Sequence, residues 1–370
     1  MAKPSMAQLE RTLVTVGVDT HRDVHVARAK DQLGRLLGEN TIATTPAGYR
    51  DLLDWARTYG DVEAFGVEGT GSYGAGLSRF LLSQGQVVIE VNRPSRQARR
   101  RNGKSDPADA DAAASAVLSG DANATPKAGD AHVEMVRALR IARQTAIKAR
   151  TQAINAMKAL VVTAPSELRE SLRGKSTTMQ VRACARFRPG DLEGPVVAVK
   201  VALRSLATRC ETLEAEIACL ERHLDSLLAQ AAPDLLARFG VGADSAGVLL
   251  VAVGDNPDRL RSEAAFSMLC GSSPVEASSG QQTRHRLNRG GDRQANAALH
   301  RIVMARLRWD QRSKDYLERR IKEGMSKREI IRCLKRYVAR EIYGVIKIMQ
   351  ANDTAIAVGA VDDMAQSPKR

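Results

Sequence analysis

The sequence predicts a mixed α/β domain at the N-terminus, followed by a helical middle and a mainly α-helical C-terminal domain. Short β-like runs alternate with helical patterns between residues 12 and 120. From about residue 131 onward, helical periodicity dominates. The chain has 370 residues, enough for two or three domains, and its hydrophobic content of 44% is sufficient for a buried core.

The N-terminal domain is predicted to contain three strands, a helix, a strand, a helix, a strand, a basic loop and a final helix. The first strand, TLVTVGVD, ends at Asp19, and the fourth, VEAFGVEG, ends at Glu68. A Ser-Asp-Pro segment beginning at Ser105 opens the last helix. This order is typical of a ribonuclease H-like (RuvC-like) mixed sheet with flanking helices, which we assign to residues 1–125.

The middle of the chain, residues 131–232, is predicted to be helical and to form a coiled coil. Apolar residues alternate at spacings of four and three over about four heptads, and Pro233 ends this helix. An amphipathic surface helix can mimic the pattern, but the unbroken alternation favours a partner helix. Residues 132–160 of the same chain and a second protomer are both candidates for that partner. The seam comprises Val199, Leu203, Leu206, Cys210, Leu213, Ile217, Leu220, Leu224 and Leu227.

The C-terminal domain is predicted over residues 235–352, with a flexible tail over residues 353–370. Its first segment, RFGVGADSAGVLLVAVGD, has the pattern of a helix, a glycine turn and a second helix. Such a turn resembles a helix-turn-helix and is of the kind that presents backbone N–H groups to phosphate. A polar, glycine-punctuated and basic segment follows, PVEASSGQQTRHRLNRGGDR.

The charge balance predicts a polyanionic partner. The formal net charge is +14 and the isoelectric point is near 9.9. Residues 281–350 alone contain 19 Lys and Arg against 7 Asp and Glu. A generically soluble basic protein would mix its charges more evenly, and membrane-surface binding is less favoured because the basic segments also contain polar turns.

The remaining composition favours a cytoplasmic protein with reduced thiols, associated with the nucleoid. No uninterrupted apolar stretch of about 18 residues occurs, and the first residues lack the apolar core of a secretion signal. The five cysteines form no C-x-x-C pair and no zinc-binding spacing. The 4% aromatic content makes base-stacking recognition of single strands less persuasive.

Four carboxylates are predicted to converge at one edge of the N-terminal sheet. Asp19 and Glu68 end strands that are neighbours in a ribonuclease H-like sheet. Asp106 and Asp109 lie three residues apart at a helix start, on one helical face. A turn-former, a surface residue or a helix cap would explain each acid singly, but their joint placement favours a shared site. Asp111 points to a different face of the helix and is left out.

Such a carboxylate group predicts a site for divalent cations. Four carboxylates in one place repel each other and raise one another's pKa, and a cation relieves that conflict. Hard oxygen ligands select Mg²⁺ or Mn²⁺. Two such ions, about 3.5–4 Å apart, stabilise both the attacking and the leaving oxygen of a phosphodiester displacement. His21 and His25 flank the first ligand, and orienting the turn or lying along the strand is favoured for both over metal ligation.

Two groups of basic side chains are candidates for binding nucleic-acid backbone. The first precedes the Asp106 helix, where a solvated loop is the alternative interpretation: Arg93, Arg96, Arg99, Arg100, Arg101 and Lys104. The second follows the polar C-terminal segment and is expected to hold phosphates near the reacting bond: Arg284, Arg286, Arg289 and Arg293.

Several segments together resemble a known family. In the first domain they are VGVDTHRDVHVA, GVEGTGSYG and GKSDPADADAAA, and in the last FGVGADSAGVLLVAVGD, AAFSMLCGSSPVEASSG and NRGGDRQANAAL. Their order and separations resemble the DEDD transposases of bacterial insertion sequences, in the insertion sequence one-ten family. The resemblance covers roughly residues 12–348 and is weakest over about 160–200.

The resemblance implies a transposase or DNA recombinase that cuts, exchanges and rejoins double-stranded DNA at element ends and target sites. It implies a nucleophilic serine directly before the glycine of an SG motif, which is Ser279 here, with Ser278 as the close alternative because the serine is doubled. A serine hydroxyl requires activation, which the metal ions would supply. The family also implies a structured non-coding bridge RNA and a homo-oligomer, a tetramer of paired dimers, acting through Holliday-junction-like intermediates.

Two other functions remain open at this point. A metal-dependent endonuclease or Holliday-junction resolvase would use the same carboxylates to activate water, and Ser279 would then be irrelevant. A non-enzymatic nucleic-acid-binding protein with a decayed catalytic fold is the other, although the intact set of four carboxylates argues against decay.

Overall fold

The chain divides into two compact units, each described here by itself. The computed structural model describes residues 12–91, 105–129, 132–256, 259–280 and 285–366. The first unit comprises Met1–Gly129 and Val253–Arg261, and the second Asp130–Ala252 and Ser262–Arg370. Within the described residues, no helix combines the length and apolar character required to cross a membrane.

The first unit is built on a five-stranded mixed sheet with the strand order β3-β2-β1-β4-β5. β1, β2 and β3 pair antiparallel, whereas β1, β4 and β5 pair parallel. This arrangement confirms the predicted α/β class and the predicted position of β1 beside β4. The strands are β1 (Leu13–Thr20), β2 (Val24–Asp31), β3 (Leu36–Ala43), β4 (Asp61–Glu68) and β5 (Val88–Val91).

Helices cover both faces of this sheet. On one face, Val16, Val18 and Phe65 pack with Leu52 and Leu77 from the first two helices in one apolar core. Because side chains alternate along a strand, the residues between these valines face the third helix on the opposite side. The helices are α1 (Pro46–Arg57), α2 (Ala75–Ser83) and α3 (Asp106–Leu118).

The second unit is predominantly helical. Within the described residues its helices are α4 (His132–Thr163), α5 (Ser166–Leu172), α6 (Thr177–Ala185), α7 (Gly194–Ala231), α8 (Pro233–Leu236), α9 (Ala243–Val253, whose last residue belongs to the first unit), α10 (Glu263–Leu269), α11 (Arg293–Trp309), α12 (Gln311–Lys322) and α13 (Lys327–Gln366). A short hairpin of β6 (Val275–Glu276) and β7 (His285–Arg286) joins α10 to α11.

The two long helices α4 and α7 pack side by side. Arg143 forms an ion pair with Glu221 at 2.6 Å, and Arg150 contacts Glu214, so the two helices run antiparallel. The helix α7, which carries the heptad seam, therefore contacts α4, the partner candidate from the same chain. Along the seam, fully buried residues such as Leu203 alternate with half-buried leucines: Leu206, Leu213, Leu220 and Leu227.

The beginning and the end of the predicted C-terminal domain each show a feature of their own. Gly240, with φ 81°, lies between α8 and α9, where the sequence predicts a glycine turn. Asp244 in the first turn of α9 contacts Arg140 at 2.9 Å and Arg301 at 2.8 Å, and these ion pairs connect α9 to α4 and α11. The helix α13 extends to Gln366 and so includes most of the segment predicted as a tail.

Candidate metal centre and serine hairpin

Asp19 and Glu68 lie side by side at the ends of two parallel strands. Val18 pairs with Val67 in the register of β1 and β4, so the next residue of each strand is one of the two acids. The Thr20 hydroxyl donates a hydrogen bond to the Glu68 carbonyl oxygen at 2.9 Å and joins the two strand ends. Both acids are buried, with 6% of Asp19 and 5% of Glu68 exposed. They share the face of the sheet that α3 covers.

Two glycines allow α3 to lie close to this face. A Cβ atom on Gly17 would lie 2.0 Å from the Ala110 carbonyl oxygen, and a Cβ on Gly66 would lie 2.7 Å from a methyl group of Val117. The helix in turn presents small side chains such as Ala114 to the sheet. This close approach brings the first turn of α3 over the strand ends.

The N-terminus of α3 presents acidic residues at the same edge. Ser105 is the N-cap, and its hydroxyl accepts a hydrogen bond from the Ala108 N–H. Asp106 is therefore the first helical residue and not the cap, so its carboxylate is available to other groups. Asp106 and Asp109 both belong to the first turn, where the helix dipole favours negative charge.

His21 connects the acids of the strand to those of the helix. Its Nε2 atom lies 3.1 Å from Asp19 Oδ2 and 3.4 Å from Asp106 Oδ1. Ligand atoms of these three residues lie within 4.8 Å of one another, an arrangement that could hold a metal ion. From the sequence, a role in orienting the turn is favoured for His21 over metal ligation. The signal in the sequence that could have indicated His21 as a ligand is its position two residues after Asp19, the acid that ends the strand.

The charges around Asp19 are arranged so that a bound cation would stabilise its ionised carboxylate. Burial raises the pKa of Asp19 above its usual value, the negative charges of Asp109 and Asp106 raise it further, and His21 opposes them. The effect of Asp109 on Asp19 shows that the second helix acid acts on the same group. A buried carboxylate that is repelled by two others matches the donor chemistry of a divalent metal site.

Two neighbouring residues stay outside the cluster. Asp111 pairs with Lys30 at 2.8 Å and with Arg28 at 3.6 Å, so it anchors α3 to β2, in agreement with its exclusion from the predicted site. His25 is fully buried and stacks on Tyr49, and burial lowers its pKa. Its position along the strand agrees with the prediction for this residue.

The predicted serines lie on the loop of the β6–β7 hairpin in the second unit. Ser278 and Ser279 are both exposed, and Gly280 follows with φ 58°, a conformation that favours glycine. Both serines therefore lie at the surface of the second unit. The choice between them stays open.

The base of this hairpin is held by a close backbone contact. A Cβ on Gly291 would lie 2.2 Å from the Gly271 nitrogen. The Asn296 side chain donates hydrogen bonds to the carbonyl oxygens of Cys270 and Gly271 at 2.8 and 3.0 Å. These contacts explain Gly291 and Asn296 of the NRGGDRQANAAL segment.

The predicted basic residues are only partly within the described chain. Arg286, Arg289 and Arg293 are exposed, on β7, after it and at the start of α11. Arg284 lies outside the described residues, and so does the whole group before α3: Arg93, Arg96, Arg99, Arg100, Arg101 and Lys104.

A mixed sheet of this order, which gathers acidic side chains at one edge, defines the class of ribonuclease H-like enzymes that process nucleic-acid strands. Residues 16–164 match the family model of DEDD transposases of the IS110 type, described as Transposase. Residues 233–318 match the model described as Transposase IS116/IS110/IS902 family. The chain belongs to this family of transposases, which are enzymes that bind DNA and act on it in transposition. A comparison with curated proteins finds no match.

Proposed function

We propose that this transposase cuts, exchanges and rejoins DNA strands with a serine nucleophile that is activated at the carboxylate cluster. Asp19, Glu68, Asp106 and Asp109 would hold Mg²⁺ or Mn²⁺, with two ions in the working site. The observation that carries the proposal is geometric: ligand atoms of Asp19, His21 and Asp106 lie within 4.8 Å of one another, and Asp109 and Asp106 repel the buried Asp19 carboxylate. A cation removes that repulsion and polarises phosphate oxygens when bound.

The serine step is a balanced exchange of phosphoester bonds. The hydroxyl oxygen of Ser279, or of Ser278, forms a bond to the DNA phosphorus while one P–O bond of the strand breaks. The serine loses its proton and the departing strand oxygen gains one. The phosphoserine link keeps the bond energy, so a second strand end can attack it without ATP. Exposed hydroxyls on a hairpin loop are suited to reach a phosphate.

Alanine substitution of the serines tests this route. We expect Ser279→Ala to lose the covalent protein–DNA adduct and strand exchange while Mn²⁺ binding stays unchanged. Ser278→Ala tests the alternative nucleophile, and we expect it to keep both activities if Ser279 attacks. The adduct is measured by denaturing electrophoresis with labelled DNA. Full strand exchange by the double variant would overturn the serine route and favour a nuclease or junction resolvase that activates water.

The assembly around this chemistry is also a proposal. We place the catalytic domain at residues 1–125, a coiled-coil domain at 131–232 and the C-terminal domain at 235–352. The half-buried leucines of the α7 seam support association with a second protomer, in a tetramer of paired dimers. The family membership supports a structured non-coding RNA that selects donor and target DNA, and nucleoid association of the assembled enzyme.

A further inference from the structure

A basic cleft lies between the serine hairpin and the last helix, α13. Its volume is about 850 Å³. On one side it is lined by residues 272–274 and 285–288, which flank the loop that carries Ser279. On the other side it is lined by Met325 and by residues of α13 from Glu329 to Arg340. A ligand in this cleft would therefore contact the base of the hairpin that carries the serines.

The cleft carries an excess of positive charge. Two carboxylates accompany its cations among the described residues: Glu329, 3.7 Å from Arg332, and Glu263, which contacts Arg336 and lies 3.6 Å from Arg340. The lining cations are Arg286, Arg332, Lys335, Arg336 and Arg340. Five cations against two carboxylates favour an anionic ligand.

The spacing of the arginines on α13 suits a repeating anion. Arg332, Arg336 and Arg340 follow one another at intervals of four residues, so they form a row along one face of the helix. The Cα atoms of neighbouring arginines in this row are about 6 Å apart along the helix axis. A polynucleotide backbone presents phosphates in such a series, whereas a single small anion would need only one of these groups.

A buried lysine points to the same kind of ligand. Lys335 lines the cleft, is 6% exposed, and donates a hydrogen bond from Nζ to the amide oxygen of Asn296 at 2.9 Å. No carboxylate of the described chain forms an ion pair with it. Burial, and then the charge of Arg332, lowers its pKa. A phosphate would supply the missing negative charge.

An exposed aromatic ring completes the cleft. Tyr337 lines it, is 52% exposed, and is oriented by an edge-on contact with Tyr316 at 5.8 Å. A ring beside a row of cations is the combination that binds unpaired nucleotides, because a base can stack on the ring while cations hold the backbone. The cavity fits a short piece of one strand, since a duplex is far wider than a pocket of this size.

We propose that this cleft binds a single-stranded nucleic-acid segment and leads it to the serine loop. Arg332, Arg336 and Arg340 contact successive phosphates, Lys335 contacts one phosphate, and Tyr337 stacks on a base. This proposal rests on the proposed function, because it gives the strand that the serine handles a place beside it. The low aromatic content of the sequence argues against base stacking, whereas the exposed Tyr337 ring in this cleft favours it.

Arginine variants test the phosphate contacts. The affinity of the full chain for a labelled single-stranded oligodeoxynucleotide of mixed sequence is measured by fluorescence anisotropy over a series of salt concentrations. EDTA is present, so the result does not depend on the carboxylate cluster. We expect Arg332→Gln/Arg340→Gln to reduce the slope of log K against log salt by roughly 1.4, about 0.7 for each lost contact to a single strand.

The matched control lies on the same helix outside the cleft. Lys327→Gln/Arg328→Gln removes the same charge from exposed positions near the N-terminus of α13, where positive charge is unfavourable for the helix. We expect this pair to leave the slope unchanged. An equal reduction of the slope by both pairs would mean that the oligonucleotide is attracted only by the overall positive charge of the protein, and would overturn the proposal.

The tyrosine is tested by two substitutions that separate stacking from hydrogen bonding. Tyr337→Leu should weaken oligonucleotide binding by about 5- to 150-fold, the range of one base-stacking contact, and Tyr337→Phe should bind as the wild type does. Binding of Tyr337→Leu with wild-type affinity would contradict the stacking contact. A change in the molecular mass of the protein without a change in oligonucleotide affinity would make the cleft a protein interface instead.

Two further arms identify the strand and separate this proposal from the serine chemistry. An oligoribonucleotide of the same sequence is measured in parallel, and the strand that loses more affinity in the cleft variants is the ligand. If the cleft variants lose affinity for duplex DNA but not for either single strand, the proposal is contradicted. Strand exchange by Ser278→Ala/Ser279→Ala would overturn the serine route, while cleft-dependent binding in that same variant would still support the cleft.

Discussion

Asp19 is buried, lies near two negatively charged side chains and contacts a histidine. Burial and the two negative neighbours make its ionised form lower the stability of the metal-free protein. Because the pKa of Asp19 is raised in the folded state, the folded protein binds a proton there more tightly than the unfolded chain does. The stability of the metal-free protein therefore falls as pH rises through the raised pKa. Metal binding has the opposite dependence, because a ligating carboxylate must be deprotonated.

Substitution of Asp19 should therefore separate stability from metal binding. We expect Asp19→Asn to have a higher melting temperature than the wild type at neutral pH without metal. Mn²⁺ at about 100 times its Kd should stabilise the wild type by about 2.7 kcal/mol and leave Asp19→Asn unchanged. Differential scanning fluorimetry with and without Mn²⁺ measures both effects.

Asp111→Asn is the control for this experiment. It removes a carboxylate from the same helix, α3, but one that pairs with Lys30. This variant should have a lower melting temperature, because Lys30 loses its partner, and should keep the Mn²⁺ response. The metal-site assignment fails if Mn²⁺ stabilises Asp19→Asn as much as it stabilises the wild type.

His21 and Ser105 show how far single residues could be predicted from the sequence. The sequence indicates which acids end strands and begin a helix, because strand ends and helix starts have local signals. It does not indicate that the His21 ring reaches Asp106, since that contact depends on how closely α3 approaches the sheet. The sequence could have indicated Ser105 as the N-cap, because the Ser-Asp-Pro segment contains two residues that favour this position and the serine comes first.

At the scale of elements, the position of α3 on the sheet determines whether the acids meet. Gly17 and Gly66 have no side chain where the helix lies closest. The order of elements was predictable, because the alternation of β-like and helical runs is strong in this domain. The distance between α3 and the sheet was not, because two glycines inside strands are also compatible with a bulge or a weak strand.

A methyl group on Gly17 should therefore disturb the metal site without altering a ligand. We expect Gly17→Ala to push α3 away from β1, with a loss of about 1–3 kcal/mol of stability. Displacement of Asp106 and Asp109 should reduce the strand-cleavage rate by about 100-fold. Denaturant unfolding and a cleavage assay with Mn²⁺ measure these two changes.

Gly344→Ala is the matched control. Gly344 is exposed on α13, and a Cβ there meets nothing within 4 Å. This variant should gain up to about 1 kcal/mol from helix propensity and cleave as the wild type does. Wild-type cleavage by Gly17→Ala would show that the close approach of α3 is not needed for activity.

At the scale of the whole molecule, the seam of α7 is covered on one side only. Its fully buried positions pack in the helical unit, whereas the leucines between them stay half-buried. The sequence predicts the seam but not its partner, because a heptad pattern is the same for an intrachain and an interchain helix. The basic cleft was beyond prediction for a similar reason: residues near 273 and 286 meet α13 only through the tertiary fold.

The seam predicts a change in oligomeric state. We expect Leu213→Glu/Leu220→Glu to reduce the mass of the particle measured by sedimentation velocity, because charge on the seam opposes helix association. Thr212→Glu/Ala218→Glu, at exposed positions of the same helix, should keep the wild-type mass. Circular dichroism checks that both variants stay helical. An unchanged mass in the seam variant would contradict association through α7.

The close backbone contact between Gly271 and Gly291 brings the two ends of the serine hairpin together at its base. Among the described residues, this base is also held by the Asn296 side chain and by backbone hydrogen bonds from Ser272 and Ser273 to the Ser267 carbonyl oxygen. A graft of the whole loop from another family member, cut at these two glycines, should consequently be accepted by the helical body as one module. The proposed serine nucleophile could in this way be exchanged together with its loop.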